Sequence, residues 1–257
     1  MNPMKGLLIK DYRISRQSFL IWAGVLVLAL AGGIGLSVYT SQPAGTLPVL
    51  VLTGFAHFAF APVLMLTLLN LEAKTQLWLY TPRRGIELIL SKYGVIFCYQ
   101  LVLQVLLSIF AAYSLFLFGR EVYEPIGFRL FLEAAVVLNA LLLVVGLYLA
   151  TWLTFLWTVF HSLKNLVKTV RWFIVIGIVI VYNTIESYLL TLGPIRNFIT
   201  KFNFNVISEA ALSYKDEQWS VILDSTAIPV IPLFYYALLI IILITAAAKL
   251  LERKVEV

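Results

Sequence analysis

The chain has 257 residues, of which 61% are hydrophobic and only 12% charged, with a mean hydropathy of +0.95. Soluble domains are about 45–50% apolar and about 25% charged, and a chain of this length has no core large enough to hide the excess. Lipid is therefore the expected solvent, and a soluble one- or two-domain protein is excluded. The formal charge of +6 does not point to nucleic acid, because the basic residues stand in short clusters between apolar runs and form no continuous basic face. The single cysteine, Cys98, excludes an internal disulfide and a cysteine-based metal site.

A helical crossing of the hydrocarbon core takes about 20 apolar residues. Six runs satisfy this, at about residues 19–39, 49–71, 93–118, 130–160, 172–192 and 229–248. Alternating ten-residue segments of the β-barrel kind are absent, so the expected class is an all-α polytopic membrane protein. No linker or internal repeat divides residues 1–257, which read as a single domain. The first run is longer than a signal-peptide core and lacks a clear cleavage site, so it reads as a mature span. The fourth exceeds what a bilayer needs and is expected to tilt or project.

Orientation follows from the basic residues. Of the 19 lysines and arginines, fourteen lie in the N-terminus, the connection after span two, the connection after span four and the C-terminus. Arg120, Arg129, Arg196, Lys201 and Lys215 are the remainder, on the opposite side. Both termini are expected in the cytoplasm.

Residues 4–17 have a helical amphipathic pattern, with Met4, Leu7, Leu8 and Ile14 on one face and Lys5, Arg13 and Arg16 opposite. An interfacial helix is the expectation, with its cations toward lipid headgroups. Asp11 falls on the apolar side, and two readings stay open for it: a solvated N-terminal charge, or an ion pair with another cytoplasmic segment. Between spans two and three, Leu77, Trp78, Leu79 and Tyr80 precede Thr81-Pro82, a sequence suited to starting a helix. This is either an aromatic belt with a positive loop or a docking helix for a soluble partner.

Three features together resemble the permease subunits of type-2 ABC exporters, in particular those of bacterial peptide and antibiotic exporters. One is the opening Leu7-Leu8-Ile9-Lys10-Asp11-Tyr12-Arg13, similar to the elbow helix of those permeases. Another is Glu72 with Thr75, Leu79, Thr81-Pro82-Arg83 and Glu87-Leu88-Ile89-Leu90-Ser91-Lys92-Tyr93. The third is six spans with a long final external connection. The resemblance implies an elbow helix at 4–17 that includes Lys10, Asp11 and Arg13. It also implies a coupling helix seated on an ATPase, formed around Glu72, Leu77, Trp78, Leu79, Tyr80, Pro82, Arg83 and Arg84. Glycine-rich phosphate loops of the form G-x-x-x-x-G-K-[ST] are absent from the sequence. ATP and Mg are thus expected on a separate ATPase subunit, with this chain binding no cofactor and catalysing no reaction. A complete exporter of this kind pairs two membrane subunits, a second copy or a paralogue, in the bacterial cytoplasmic membrane.

Polar residues inside spans are candidates by default. Gln100, Gln104 and Ser108 recur at i, i+4 and i+8, as interhelical hydrogen bonds or as part of a translocation surface. Tyr182, Asn183 and Glu186 share a turn of span five, where Glu186 is expected to pair with a base such as Arg196 or to shape an external gate. His57 has no second ligand at metal spacing and reads as a packing histidine. Small residues at 29–35 permit close helix approach, within or between subunits. The external segment 193–228 is expected to hold short re-entrant or interfacial helices, acting as a lid or an anchor. Signatures of an intramembrane enzyme are absent from the sequence. The competing class is a non-transporting membrane module, an immunity or signalling protein.

Overall fold

A computed structural model of the chain describes residues 3–40, 45–75, 84–118, 128–199, 201–215 and 218–254. In chain order these form α1 (Pro3–Thr40), α2 (Thr46–Thr75), α3 (Gly85–Ala112, extended by a π-helical turn over Tyr113–Phe118), α4 (Phe128–Ser162), α5 (Lys168–Thr191), α6 (Gly193–Ile199), β1 (Asn203–Lys215), β2 (Gln218–Pro229) and α7 (Ile231–Lys254). Six of the helices, α1 to α5 and α7, are long and apolar enough to cross a membrane. Each carries one of the six apolar runs, and the chain reads as a multi-pass membrane protein.

The core runs along α2. Phe60, Ala61, Leu64, Met65, Leu68 and Leu69 are buried at helical spacing and meet Leu7, Leu26 and Leu30 of α1 and Val95, Ile96, Tyr99 and Leu103 of α3. The outward flanks of α1 and α5 remain apolar and exposed; in α5 only Val175 is buried. A water-soluble protein could not tolerate such surfaces, whereas acyl chains solvate them at no cost.

Contacts between chain-distant residues give the helix directions. Ser91 meets Asp11 and Tyr99 stacks on Phe19, so α1 and α3 run parallel. Glu72, near the end of α2, meets Lys10 near the start of α1, so α2 runs antiparallel to them. The Gly85 N–H at the start of α3 donates to Glu252 near the end of α7 at 2.6 Å, so the start of α1 and the end of α7 lie at the same end of the bundle. Gly33 explains part of the small-residue segment in α1. A Cβ there would stand 3.1 Å from Val49 Cβ, so this glycine serves α1–α2 packing within the chain, while Gly32 and Gly35 face open space.

Two expectations are corrected. Residues 4–17 are not a helix separate from span one, because α1 is unbroken from Pro3 to Thr40 and at about 1.5 Å per residue it exceeds the roughly 30 Å hydrocarbon core. Its amphipathic face is covered by the protein: Leu7, Asp11 and Ser15 form a buried stripe against the neighbouring helices, and Lys5, Arg13 and Arg16 are exposed. The segment after α5 is not wholly helical either. After the seven residues of α6 it forms an antiparallel hairpin that pairs Asn203 with Pro229 and Lys215 with Gln218, with an irregularity between Ile207 and Glu209. The hairpin stacks its backbone bonds within one local unit, and so satisfies a long connection without a further helix.

Candidate functional site

Four charged residues, Lys10 and Asp11 of α1, Glu72 of α2 and Lys92 of α3, converge at the end of the bundle where α1 starts and α7 ends. Asp11 of α1, Glu72 of α2 and Ser91 and Lys92 of α3 are all at or below 1% exposure. Lys92 Nζ stands 2.7 Å from Glu72 Oε2 and 3.6 Å from Asp11 Oδ1. Lys10 donates to Glu72 Oε1, and its Nζ lies 3.4 Å from Asp11 Oδ1. Ser91 Oγ donates to Asp11 Oδ2 at 2.5 Å. Two ammonium and two carboxylate groups thus alternate around one small volume, and their charges cancel.

Local sequence explains how each group arrives. Leu7, Asp11 and Ser15 are four residues apart, so they lie along one line of α1. Ser15 Oγ bonds back to the Asp11 carbonyl at 2.6 Å, so the apolar stripe of α1 is interrupted only by groups that have partners. Glu72 stands one turn before the end of α2, at the end of the stripe that buries Leu64, Leu68 and Leu69. Gly94 lets α3 approach α1, since a Cβ there would lie 3.1 Å from Leu8 Cδ2. Tyr99 Oη donates to the Tyr12 carbonyl at 3.2 Å, and its ring stacks on Phe19 at 4.1 Å. The cluster is held on a stiff frame. Burying isolated charges is expensive, and this arrangement offsets part of the penalty because each charge faces two of the opposite sign.

Neighbouring polar contacts extend the frame. Trp157 Nε1 of α4 donates to Asn70 Oδ1 of α2 at 2.8 Å, close to Glu72 in sequence, and stacks on His161 at 4.0 Å. Gly85 is pressed between α3 and α7, where a Cβ would stand 2.7 Å from the Ala248 carbonyl oxygen. The Glu252 carboxylate caps the free N–H there, a task that the Arg84 side chain at the N-cap does not perform.

Of the candidate residues, Lys10, Asp11 and Glu72 come together. Of the two readings left open for Asp11, the buried ion pair is observed. Arg13 is exposed on the outer flank of α1, and Arg84 is exposed at the start of α3. Leu77, Trp78, Leu79, Tyr80, Pro82 and Arg83 lie outside the described residues. Gln100 and Gln104 face α4: their Nε2 atoms donate to the carbonyls of Leu142 at 2.9 Å and Asn139 at 3.0 Å. Asn139 Nδ2 donates to Ser108 Oγ at 2.8 Å, so the polar stripe of α3 is an interhelical seam. A groove of about 360 Å³ opens beside it, with Gln104, Ser108 and Asn139 as its polar floor. Asn183 is exposed and bonds its own helix at the Val179 carbonyl. Glu186 accepts a hydrogen bond from Tyr236 of α7 at 2.9 Å. His57 is buried and stacks on Phe60, as a packing histidine does.

Ser91 and Lys92 stand in the sequence only as part of the Glu87–Tyr93 motif, and Asn70, Trp157 and Glu252 carry no local signal. Their partners stand tens of residues away, so no local spacing announces them.

Among known proteins, the uncharacterized protein YhcE of Bacillus subtilis (strain 168) is 29% identical over 272 residues, an alignment spanning 100% of both chains. No protein-family model and no solved structure matches. The likeness to YhcE thus extends over the whole membrane bundle, and it brings no activity with it.

Proposed function

We propose that this chain is the permease subunit of an ATP-driven exporter of the bacterial cytoplasmic membrane. Its substrate would be hydrophobic or amphipathic: a peptide, an antibiotic or a lipid-like compound. The observation that carries the reading is the buried ion-pair cluster, because it brackets segment 76–83: Glu72 precedes the segment, and Ser91 and Lys92 follow it. A push on that segment reaches α1, α2 and α3 together, since parting buried opposite charges costs about 3–5 kcal/mol. A rigid foot of this kind is what a subunit without its own motor needs.

On this reading, Leu77, Trp78, Leu79, Tyr80, Pro82, Arg83 and Arg84 dock on an ATPase subunit that holds ATP and Mg. Both termini face the cytoplasm, and Lys10, Asp11 and Arg13 belong to the part of α1 that meets the membrane interface. A second copy or a paralogous permease completes the pathway. The α3–α4 face with Gln100 and Gln104 contributes to the pathway or to the subunit seam. The ATPase drives the change by binding one arrangement of the helices more tightly than the other.

The test is gentle purification of the tagged full chain from its native host, with peptide sequencing of whatever accompanies it. A P-loop ATPase is expected, and it should be lost from R83E/R84E at unchanged thermal stability. A stable lone protein, even after cross-linking in intact cells, would overturn the reading and favour a non-transporting module.

A further inference from the structure

A second polar cluster lies between α4, α5 and α7, well separated in the chain from the ion pairs. Tyr148 and Trp152 are four residues apart on α4, as are Tyr182 and Glu186 on α5, and Tyr235 and Tyr236 supply the third side from α7. Ring centroids are 4.5 Å apart for Trp152 and Tyr182, 5.4 Å for Tyr148 and Tyr236, and 5.2 Å for Tyr235 and Tyr236. The Tyr182 hydroxyl reaches those of Tyr148 and Tyr235 only at 3.4 and 3.5 Å, the loose limit of hydrogen bonding.

Glu186 is the unusual member. It is half-buried in a helix apolar enough to cross a membrane. Its donor is a neutral phenol, and among the described residues no lysine or arginine forms an ion pair with it. A carboxylate in such a helix is a functional candidate by default, and a cation is the ligand that it favours. The surrounding groups select its chemistry. One carboxylate and a set of phenols are too few hard donors for a divalent metal, whereas several aromatic faces attract a diffuse, weakly hydrated cation. Room for a ligand is also cheap here: α5 buries only Val175, so it can move aside without opening a packed core.

We propose that α4, α5 and α7 form a binding site for a lipophilic organic cation of the quaternary ammonium or phosphonium type. Glu186 is the counter-ion, and Trp152, Tyr148 and Tyr182 are the aromatic wall. The cation comes either from a free amphiphile or from a lipid headgroup; the recognition chemistry is the same. The site does not depend on an ATPase partner, so its test is independent of the transport reading.

The experiment is equilibrium binding of tetraphenylphosphonium to the detergent-purified full chain, beside the neutral triphenylphosphine oxide. Saturable binding of the cation alone is expected. E186Q, which retains an acceptor for Tyr236, should weaken it at least tenfold, and W152L several-fold. E133Q, whose carboxylate pairs with Arg129 on an exposed helix face, should leave it unchanged. Displacement by short-chain phosphatidylcholine, whose headgroup is a quaternary ammonium, supports a headgroup as the natural occupant, and failure to displace supports a free cation. Equal binding of the neutral analogue, an unchanged affinity in E186Q, or no binding of the phosphonium overturns the proposal.

Discussion

Glu72 and Glu186 are both acids placed in apolar surroundings, and the protein treats them differently. Glu72 is 1% exposed and stands between two lysines, with Asp11 completing a neutral set. Glu186 is only half-buried, near the end of a loosely packed helix, and one tyrosine hydroxyl supports it. The contrast follows from desolvation. A carboxylate wholly removed from solvent needs a full opposite charge, whereas one that keeps part of its surface open survives on a neutral donor. The first arrangement ties three helices together, and the second leaves α5 free to shift.

The largest effect should come from leaving the first cluster unbalanced. Lys92→Met removes the ammonium shared by Glu72 and Asp11, and should cost about 3–5 kcal/mol, read as a large fall in the thermal midpoint of the detergent-solubilised protein. The swapped pair E72K/K92E should recover part of the loss; a single variant as stable as the parent would show that the cluster is not a structural tie. Next comes Gly85→Ala, which drives a methyl group against the Ala248 carbonyl oxygen. Overpacking of this kind costs about 1–3 kcal/mol, and proteolysis should increase at the junction of α3 and α7. An unaltered cleavage pattern would contradict the close crossing.

On the other side of the comparison, Tyr236→Phe deletes the one donor to Glu186 among the described residues while preserving the ring. The expected loss is about 0.5–1.5 kcal/mol, clearly less than for Lys92→Met. Equal losses in the two variants would erase the distinction between the clusters. The smallest effect is expected for Gln104→Leu, since interhelical hydrogen bonds in membrane proteins average about 0.6 kcal/mol. Thermal unfolding in a single detergent ranks all four variants.

Much of the bundle was legible because lipid imposes a simple rule on composition. Runs such as 49–71 and 172–192 declare themselves, and the structure fills each with a helix. The ends were less legible. The stripe of Leu7 and its neighbours has the same period whether it faces headgroups or α3, so periodicity could not choose between them. Asp11 was the one residue that fitted poorly with lipid, and it turned out to mark the protein-facing side. The hairpin at 203–229 escaped notice because its apolar residues lack a clean alternation, and because a long connection can be closed by strands as well as by helices. The cluster around Glu186 carried a usable signal, two aromatic-containing pairs at four-residue spacing on adjacent helices, but their orientation toward α7 was not implied.

Sequence alone determined the six apolar runs and their helical form, since backbone polar groups in lipid must all be satisfied and the runs lack the alternation by which a barrel would do so. It also determined which residues would be costly to place in those helices. Only the tertiary structure decided how each cost was met: Lys92 and Lys10 for Glu72, Ser91 for Asp11, Tyr236 for Glu186. These partners are distant along the chain, and long-range pairing is set by how whole helices pack, which no local pattern encodes.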